Sequence, residues 1–193
     1  TTQGDILYRD GSGLQRLAAG TNGHVLTTGG SGANPSWAAA VGGKIGQVIY
    51  YQNTTAYTVS GNSGAPNYTT FLTASITPSA TSSKVLILTR LHTGSDGGNH
   101  TYIRLQRGST NLTLPSSAGS RSLVHSATGY GSTWFSGDQV VNMLDSPNTT
   151  SSTTYNLRMG SEGNSYVNRS SRDQDDTADI RGTSDMILME VLA

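Results

Sequence analysis

The first forty residues contain only short apolar runs, which are separated by turns rich in glycine. The turns are Gly11-Ser12-Gly13, Asn22-Gly23 and Gly29-Gly30, and no apolar run between them is long enough to form a helix. Such sparse apolar residues cannot bury a core within one chain. We therefore predict that residues 1–40 build their core from several copies of the chain. The side chains expected to pack between copies are Ile6, Leu7, Leu14, Leu17, Val25, Leu26 and Trp37.

The order of residues in this segment resembles a module of bacteriophage tail fibres. The matching runs are GDILYRD, SGLQRL, GTNGHVL and PSWA, all within Gly4–Ala39. In that family the module forms an intertwined trimeric stalk. The resemblance implies a homotrimer with its stalk at residues 1–40.

The rest of the chain has the composition of an all-β protein. Serine and threonine supply roughly a quarter of the residues, whereas lysine and glutamate, which favour helices, occur only twice each. After a short hinge we predict a β-sandwich head at residues 44–193, antiparallel and jelly-roll-like. Its eight predicted strands lie near 45–51, 68–76, 84–92, 101–106, 121–126, 133–144, 153–159 and 185–192.

Alternation along these runs predicts which side chains are buried. Tyr155, Leu157 and Met159 share one face of their strand, and Ile103 and Leu105 share one face of theirs. The opposite face of the second strand, with Tyr102, Arg104 and Gln106, is predicted to be exposed. The runs 85–88 and 186–189 are apolar on both faces, which indicates central strands or strands covered by a neighbouring subunit.

Parts of the head also resemble the C-terminal domains of phage fibre and appendage proteins, especially from marine phages. The similar runs are SSKVLIL, LDSPNTTSSTTY and SDMILMEVLA. This resemblance implies a virion component, extracellular during host attachment, that recognises a glycan on the bacterial surface. Because the chain begins Thr-Thr rather than Met, we expect an upstream fibre or virion segment. Two alternatives are a purely structural fibre, capsid or tail decoration protein, and a polysaccharide depolymerase.

Two places in the head are candidates for receptor binding. The loop Gly94–His100 is polar and glycine-rich, and it contributes Asp96, Asn99 and His100. The aromatic-rich stretch contributes Tyr130 and Trp134, which could stack on a sugar ring. A plain hairpin tip and a core tryptophan are the alternatives for these two places.

The sequence does not indicate catalysis or metal binding. Serine is abundant, but the chain lacks a G-x-S-x-G elbow, and its four histidines lack the spacing of a zinc site. The acidic run Asp173–Asp179 lacks the glycine and terminal glutamate of an EF-hand loop, and arginines flank it. It is read as a salt-bridged loop, with a calcium site as the alternative. We expect no enzyme activity, no cofactor and no metal.

Charge and hydropathy limit the possible partners. The net charge is zero, which argues against broad electrostatic capture of nucleic acid. The chain has no apolar run near the length of a membrane span and no cysteine, so we expect neither membrane insertion nor a disulfide framework. The expected partners are two further copies of the chain, the upstream fibre and a host glycan.

Overall fold

The computed structural model describes residues 1–40, 43–61, 66–117, 119–129, 131 and 135–193. The described residues form 16 β-strands, which confirms the predicted all-β class. They contain no helix that could span a membrane. The chain divides into two compact units, Thr1–Gly43 and Lys44–Ala193.

The first unit consists of two β-hairpins. The first hairpin pairs β1 with β2, and the second pairs β3 with β4. These strands are β1 Ile6–Asp10, β2 Gly13–Leu17, β3 His24–Thr27 and β4 Ser36–Ala39. Asp10 Oδ1 closes the first turn by accepting the backbone N–H groups of Ser12 (2.8 Å) and Gly13 (3.0 Å). All of residues 1–40 are described, and none of them is buried within the single chain.

The second unit is a two-sheet β-sandwich in which every strand pairing is antiparallel. The strands of the five-stranded sheet are β7 Thr69–Ile76, β9 His100–Arg107, β10 Thr110–Asn111, β11 Ser126–Gly129 and β14 Thr153–Ser161. The strands of the seven-stranded sheet are β5 Ile45–Asn53, β6 Tyr57–Val59, β8 Lys84–Ser95, β12 Ser136–Gln139, β13 Met143–Asp145, β15 Ser165–Val167 and β16 Ser184–Val191.

The core lies between the two sheets, and the predicted alternation places it correctly. Tyr155, Leu157 and Met159 on β14 are fully buried, as are Ile103 and Leu105 on the adjacent strand β9. They pack with residues of the seven-stranded sheet in one apolar cluster.

Gln106 departs from the predicted pattern. It is buried rather than exposed, and its Nε2 donates to Asn111 Oδ1 at 2.9 Å. The short strand β10 carries Asn111 across from Gln106 and so covers a position that alternation alone leaves in solvent.

The two runs that are apolar on both faces form central strands, as predicted. The strand β16 lies between β5 and β8, and β8 continues the sheet to β13, β12 and β15. A central strand meets the core on one face only, so the apolar residues on the other face of β8 and β16 are not covered by the core.

The prediction of a strand at 121–126 is wrong, because β11 begins only at Ser126. Before Ser126, hydrogen bonds made by His125 replace further strand pairing with β9. Its backbone N–H donates to Ile103 O at 2.9 Å, and its Nδ1 accepts the Leu105 N–H at 3.0 Å. A side chain thus satisfies the backbone group that a longer strand would have paired.

The prediction of one strand at 133–144 is also wrong over the described residues. Two short strands, β12 and β13, pair with different parts of β8. At the break, Thr89 Oγ1 donates to Val141 O (2.9 Å) and accepts the Val141 N–H (3.0 Å). This hydroxyl replaces ladder hydrogen bonds, so the edge of the sheet can bend there. The short strands β6, β10 and β15 were not predicted.

Candidate functional site

Two connections between the sheets lie side by side at one end of the head. Residues 96–99 join β8 to β9, and residues 162–164 join β14 to β15. The loops are joined by two hydrogen bonds, from Asp96 N to Asn164 O at 3.1 Å and from Asn164 N to Asp96 Oδ2 at 3.2 Å. We call residues 96–100 and 162–164, with Tyr102, the tip.

The Asp96 carboxylate holds the two loops of the tip together through hydrogen bonds. Besides the Asn164 N–H, its carboxylate accepts a hydrogen bond from the Tyr166 hydroxyl at 2.6 Å. Burial and this hydrogen bond to Asp96 raise the pKa of Tyr166. Both carboxylate oxygens therefore already have protein partners, and Asp96 acts as a positioning residue for the two loops.

Asn99 packs against the neighbouring loop. Its backbone N–H donates to Asp96 O at 3.0 Å, and its carbonyl accepts the Ser95 hydroxyl at 3.0 Å. A Cβ added at Gly163 would lie 2.3 Å from Asn99 Nδ2, so only glycine permits this close approach. Gly98 turns the loop with φ +84°.

His100, Tyr102 and Glu162 form what we call the tip cluster. The imidazole and phenol rings stack with centroids 6.0 Å apart and planes 22° apart. The Tyr102 hydroxyl donates to Glu162 Oε1 at 3.0 Å, and His100 Nδ1 lies 3.9 Å from Glu162 Oε2. Burial, followed by this hydrogen bond, raises the pKa of Tyr102. The side chains of His100 and Glu162 are 56% and 48% exposed.

The chemistry of the tip cluster suits a polar ligand with an apolar face. A stacked ring pair offers a flat surface. Because the Tyr102 hydroxyl already donates to Glu162, the phenol oxygen and the carboxylate offer hydrogen-bond acceptors at its edge. Sugar rings present such a combination of C–H face and hydroxyl edge.

The structure brings some of the predicted receptor-binding residues together. Asp96, Asn99 and His100 all lie at the tip, whereas Tyr130 and Trp134 lie outside the described residues. Gly129, the last residue of β11, pairs with His100 at the tip. Sequence reasoning missed Tyr102 and Glu162. The period of two along β9 puts Tyr102 on the face of His100, but no local signal marks Glu162.

A Ser–His–Asp arrangement occurs elsewhere in the head, between β8 and β12. His92 Nδ1 lies 2.8 Å from Asp138 Oδ1, and its Nε2 lies 3.0 Å from Ser136 Oγ. Asp138 is 44% exposed and is also 3.6 Å from the guanidinium of Arg90. The His92 ring packs directly against Gly182, where an added Cβ would lie 2.3 Å from Cγ. The imidazole is therefore held between two strands and a glycine.

The acidic run Asp173–Asp179 forms ion pairs with the arginines that flank it. Asp173 pairs with Arg169 (3.5 Å) and Arg181 (2.5 Å), while Arg172 pairs with Asp176 and, at 3.0 Å, with Asp179. Although burial opposes it, hydrogen bonds from Gln174 and Arg172 lower the pKa of Asp179. The reading as a salt-bridged loop is confirmed. The described residues contain no cluster of three or more groups suited to a metal ion.

The predicted stalk contacts leave much apolar surface uncovered. The exposed fractions are 60% for Leu7, 76% for Leu14, 44% for Val25 and 49% for Leu26. Ile6, Leu17 and Trp37 are half-buried. The Trp37 indole donates to Ala18 O at 2.7 Å, and its ring lies against Gly20.

Comparison with known proteins identifies no family. No protein-family model matches the chain, and no curated protein matches it. Three of the similar solved structures come from infectious bursal disease virus: the Gx strain, the Gt strain and a VP2 subviral particle. Their TM-scores are 0.42, 0.42 and 0.40, with identities of 12%, 11% and 12%. Each match covers 94% of this chain but only 43%, 45% and 44% of the viral chain, so this chain spans less than half of their length. Scores this low support no argument about function.

Proposed function

We propose that the chain is the distal part of a homotrimeric phage tail fibre whose head binds a bacterial surface glycan through the tip cluster. The observation that carries the binding role is the exposed His100 ring, stacked on the half-buried Tyr102 beside the exposed Glu162 carboxylate. Under this proposal the protein is part of the virion and continues an upstream fibre.

The trimer is supported by the stalk sequence and by its exposure. The run GDILYRD to PSWA resembles the trimeric stalk module, and no residue of 1–40 is buried in one chain. The exposed Leu7 and Leu14 would gain burial from the other two copies, at about 25 cal/mol for each Å² of apolar surface removed from water.

Glycan binding at the tip would be weak at each site and strong for the trimer. An exposed cluster of three side chains buries little of a ligand, so we expect a single-site Kd of about 1 mM. Three sites on one particle raise the effective concentration of the second and third, so avidity could exceed single-site affinity by about 10²–10⁴.

The test is adhesion of the labelled, full chain to host cells. We compare the wild type with His100→Ala and Glu162→Gln, each first checked for its melting temperature. Matched controls are His24→Ala in the first unit and Asp175→Asn in the acidic loop, both at exposed positions. Trp134→Ala tests the second predicted place. The tip variants should reduce cell binding at least tenfold, whereas the two controls should leave it unchanged.

The outcomes separate the proposal from its structural rival. Unchanged adhesion of both tip variants would remove the tip cluster from the binding site. Failure of the wild type to bind any host cell would instead favour a fibre, capsid or tail decoration protein without a receptor.

A hydrolase is the second candidate, because His92 lies within hydrogen-bond distance of both Ser136 and Asp138. We propose that this group is structural. A catalytic carboxylate is normally buried and committed to orienting its histidine, whereas Asp138 is exposed and also contacts Arg90. A fluorophosphonate probe should leave Ser136 unlabelled, and host polysaccharide should release no reducing ends. Labelling that disappears in Ser136→Ala would establish the hydrolase.

A further inference from the structure

The outer face of the seven-stranded sheet is apolar across four neighbouring strands. Strand register aligns Tyr50, Ile187 and Leu88 in one row. The next row contains Val48, Met189, Leu86 and Leu144. A third row pairs Ile45 with Val191 and ends at Lys84. We call this surface the apolar face; its residues are Ile45, Val48, Tyr50, Leu86, Leu88, Leu144, Ile187, Met189 and Val191.

Side chains on the apolar face remain accessible in the single chain. The exposed fractions are 46% for Ile45, 54% for Val48, 58% for Tyr50 and 52% for Leu144. The other five are half-buried by their neighbours on the sheet. The opposite face of the same strands already packs in the core, through residues such as Ile87 and Leu188, so the chain's own second sheet cannot cover the apolar face.

The other outer face of the sandwich provides an internal comparison. On the five-stranded sheet, the corresponding positions on β7 and β14 carry polar side chains. They are Thr73, Ser75, Thr154 and Asn156, joined across the strands by hydrogen bonds of 2.8 Å. An antiparallel sheet with one solvated face normally shows this polar pattern. The apolar face lacks it, which indicates that this face does not meet solvent in the assembled protein.

We propose that the apolar face is the surface through which the heads of three copies pack around their common axis. The partner is a second and third copy of this chain, each presenting the same face. This inference rests on the trimer of the proposed function but not on glycan binding. In a closed threefold arrangement, three flat faces directed at the axis can bury one another without leaving an open edge.

The area of the apolar face is too small for a stable interface by itself, so the contact requires that residues 1–40 already hold the copies together. Four strands about 4.8 Å apart and five steps of about 3.3 Å give a footprint on the order of 300 Å². This is at the lower end of the roughly 300–600 Å² of the largest apolar patch on a typical monomer, a patch that is often functional. It is also below the roughly 800 Å² per partner of a standard stable interface. The head contact therefore suits a chain that is already held in a trimer.

The short connection between residues 1–40 and β5 would keep the three heads close to one another. The first residue of the apolar face, Ile45, follows the first unit by two residues, since that unit ends at Gly43. If residues 1–40 associate, each of the three copies of β5 begins five residues, or at most about 17 Å of chain, after the joined stalk. The high effective concentration would let a modest apolar contact form completely. Polar residues at the two ends of the face, Lys84 at one and Arg90 with Asp185 at the other, would form its rim.

The test uses single thiols, because the chain has no cysteine of its own. The variants Val48→Cys and Leu144→Cys place a thiol on two different strands of the apolar face. Ser75→Cys places one on the exposed outer face of the other sheet. All three substitutions are at exposed positions, so they leave the core intact. The molar mass of each full-chain variant is measured by light scattering, and the rate of labelling by a maleimide is measured at the same protein concentration.

The expected result is a trimer in which Val48→Cys and Leu144→Cys react at least tenfold more slowly than Ser75→Cys, while all three react equally fast in denaturant. A trimer in which the three thiols react at similar rates would overturn the inference, because the stalk alone would then hold the copies. A monomer would overturn it as well. Neither result depends on cell adhesion, so failure here and failure of glycan binding are distinguishable.

Discussion

Glu190 is fully buried at the end of β16, and replacing it with glutamine should destabilise the head markedly. Its Oε1 accepts the backbone N–H and the hydroxyl of Ser79, both at 2.6 Å, and its Oε2 accepts Gln47 Nε2 at 3.1 Å. The carboxylate thus holds the 77–83 connection and strand β5 against β16. Led by the Ser79 hydroxyl, these hydrogen bonds lower the pKa of Glu190 to about 2.

The expected loss follows from the hydrogen bonds. A glutamine keeps the shape of the side chain, but its oxygen can serve only one of the two sides. If it faces Ser79, two charge-assisted bonds become neutral ones, at about 1 kcal/mol each. The amide NH₂ then meets the NH₂ of Gln47, and one lost bond between buried groups costs about 1–2 kcal/mol more. We therefore expect Glu190→Gln to lower the free energy of unfolding by about 3–4 kcal/mol.

The assay is urea denaturation of wild type and variant at equal protein concentration, from pH 7 to pH 3. A glutamate whose pKa is lowered on folding stabilises the folded state above its unfolded pKa of about 4.5, and this contribution is lost as the pH falls towards 2. The difference between wild type and variant should therefore be largest at pH 7 and shrink below pH 5. Glutamine does not titrate, so it lacks this dependence.

The matched control is Glu162→Gln, which changes the only other glutamate of the chain. Its side chain is 48% exposed, so we expect a change within about 0.5 kcal/mol. A loss below 1 kcal/mol for Glu190→Gln, unchanged between pH 7 and pH 3, would refute the reasoning.

Two further changes test the sandwich. Leu157 is fully buried between Leu72 and Leu105, so Leu157→Asp should lower the free energy of unfolding by about 3–5 kcal/mol. The control Ser75→Asp changes an exposed residue and should lower it by less than about 1 kcal/mol. Equal shifts of the urea midpoint would contradict the assignment of faces. Ending the chain after Ser184 removes β16 from between β5 and β8, and should leave insoluble or unfolded protein. Soluble, trimeric protein with an unchanged melting temperature would show that this strand is not structural.

Local pattern was sufficient for the core of the head. Because side chains of a strand alternate between its faces, the spacing of Tyr155, Leu157 and Met159 determines that they are buried together. The central position of β8 and β16 could be predicted from a different pattern, because their runs are apolar on both faces. The glycine-punctuated stretch at 1–40 likewise contains its own hairpins, and its lack of buried residues follows from its composition.

Strand ends could not be predicted, because they depend on contacts between distant residues. The strand predicted at 121–126 ends where His125 takes over a backbone hydrogen bond of Leu105. The strand predicted at 133–144 breaks where Thr89 bonds both backbone groups of Val141. From the sequence alone, neither His125 nor Thr89 can be distinguished from a histidine or threonine that is exposed to solvent.

The tip cluster and the apolar face were decided by the tertiary structure alone. Tyr102 and Glu162 are 60 residues apart, and they meet because two connections cross between the sheets at the same end. The apolar face exists because sheet order places β5, β16, β8 and β13 side by side, although each strand contributes only one to three of its residues. Alternation along a strand determines which side chains share a face, but only long-range pairing determines which strands become neighbours and therefore which surface they build.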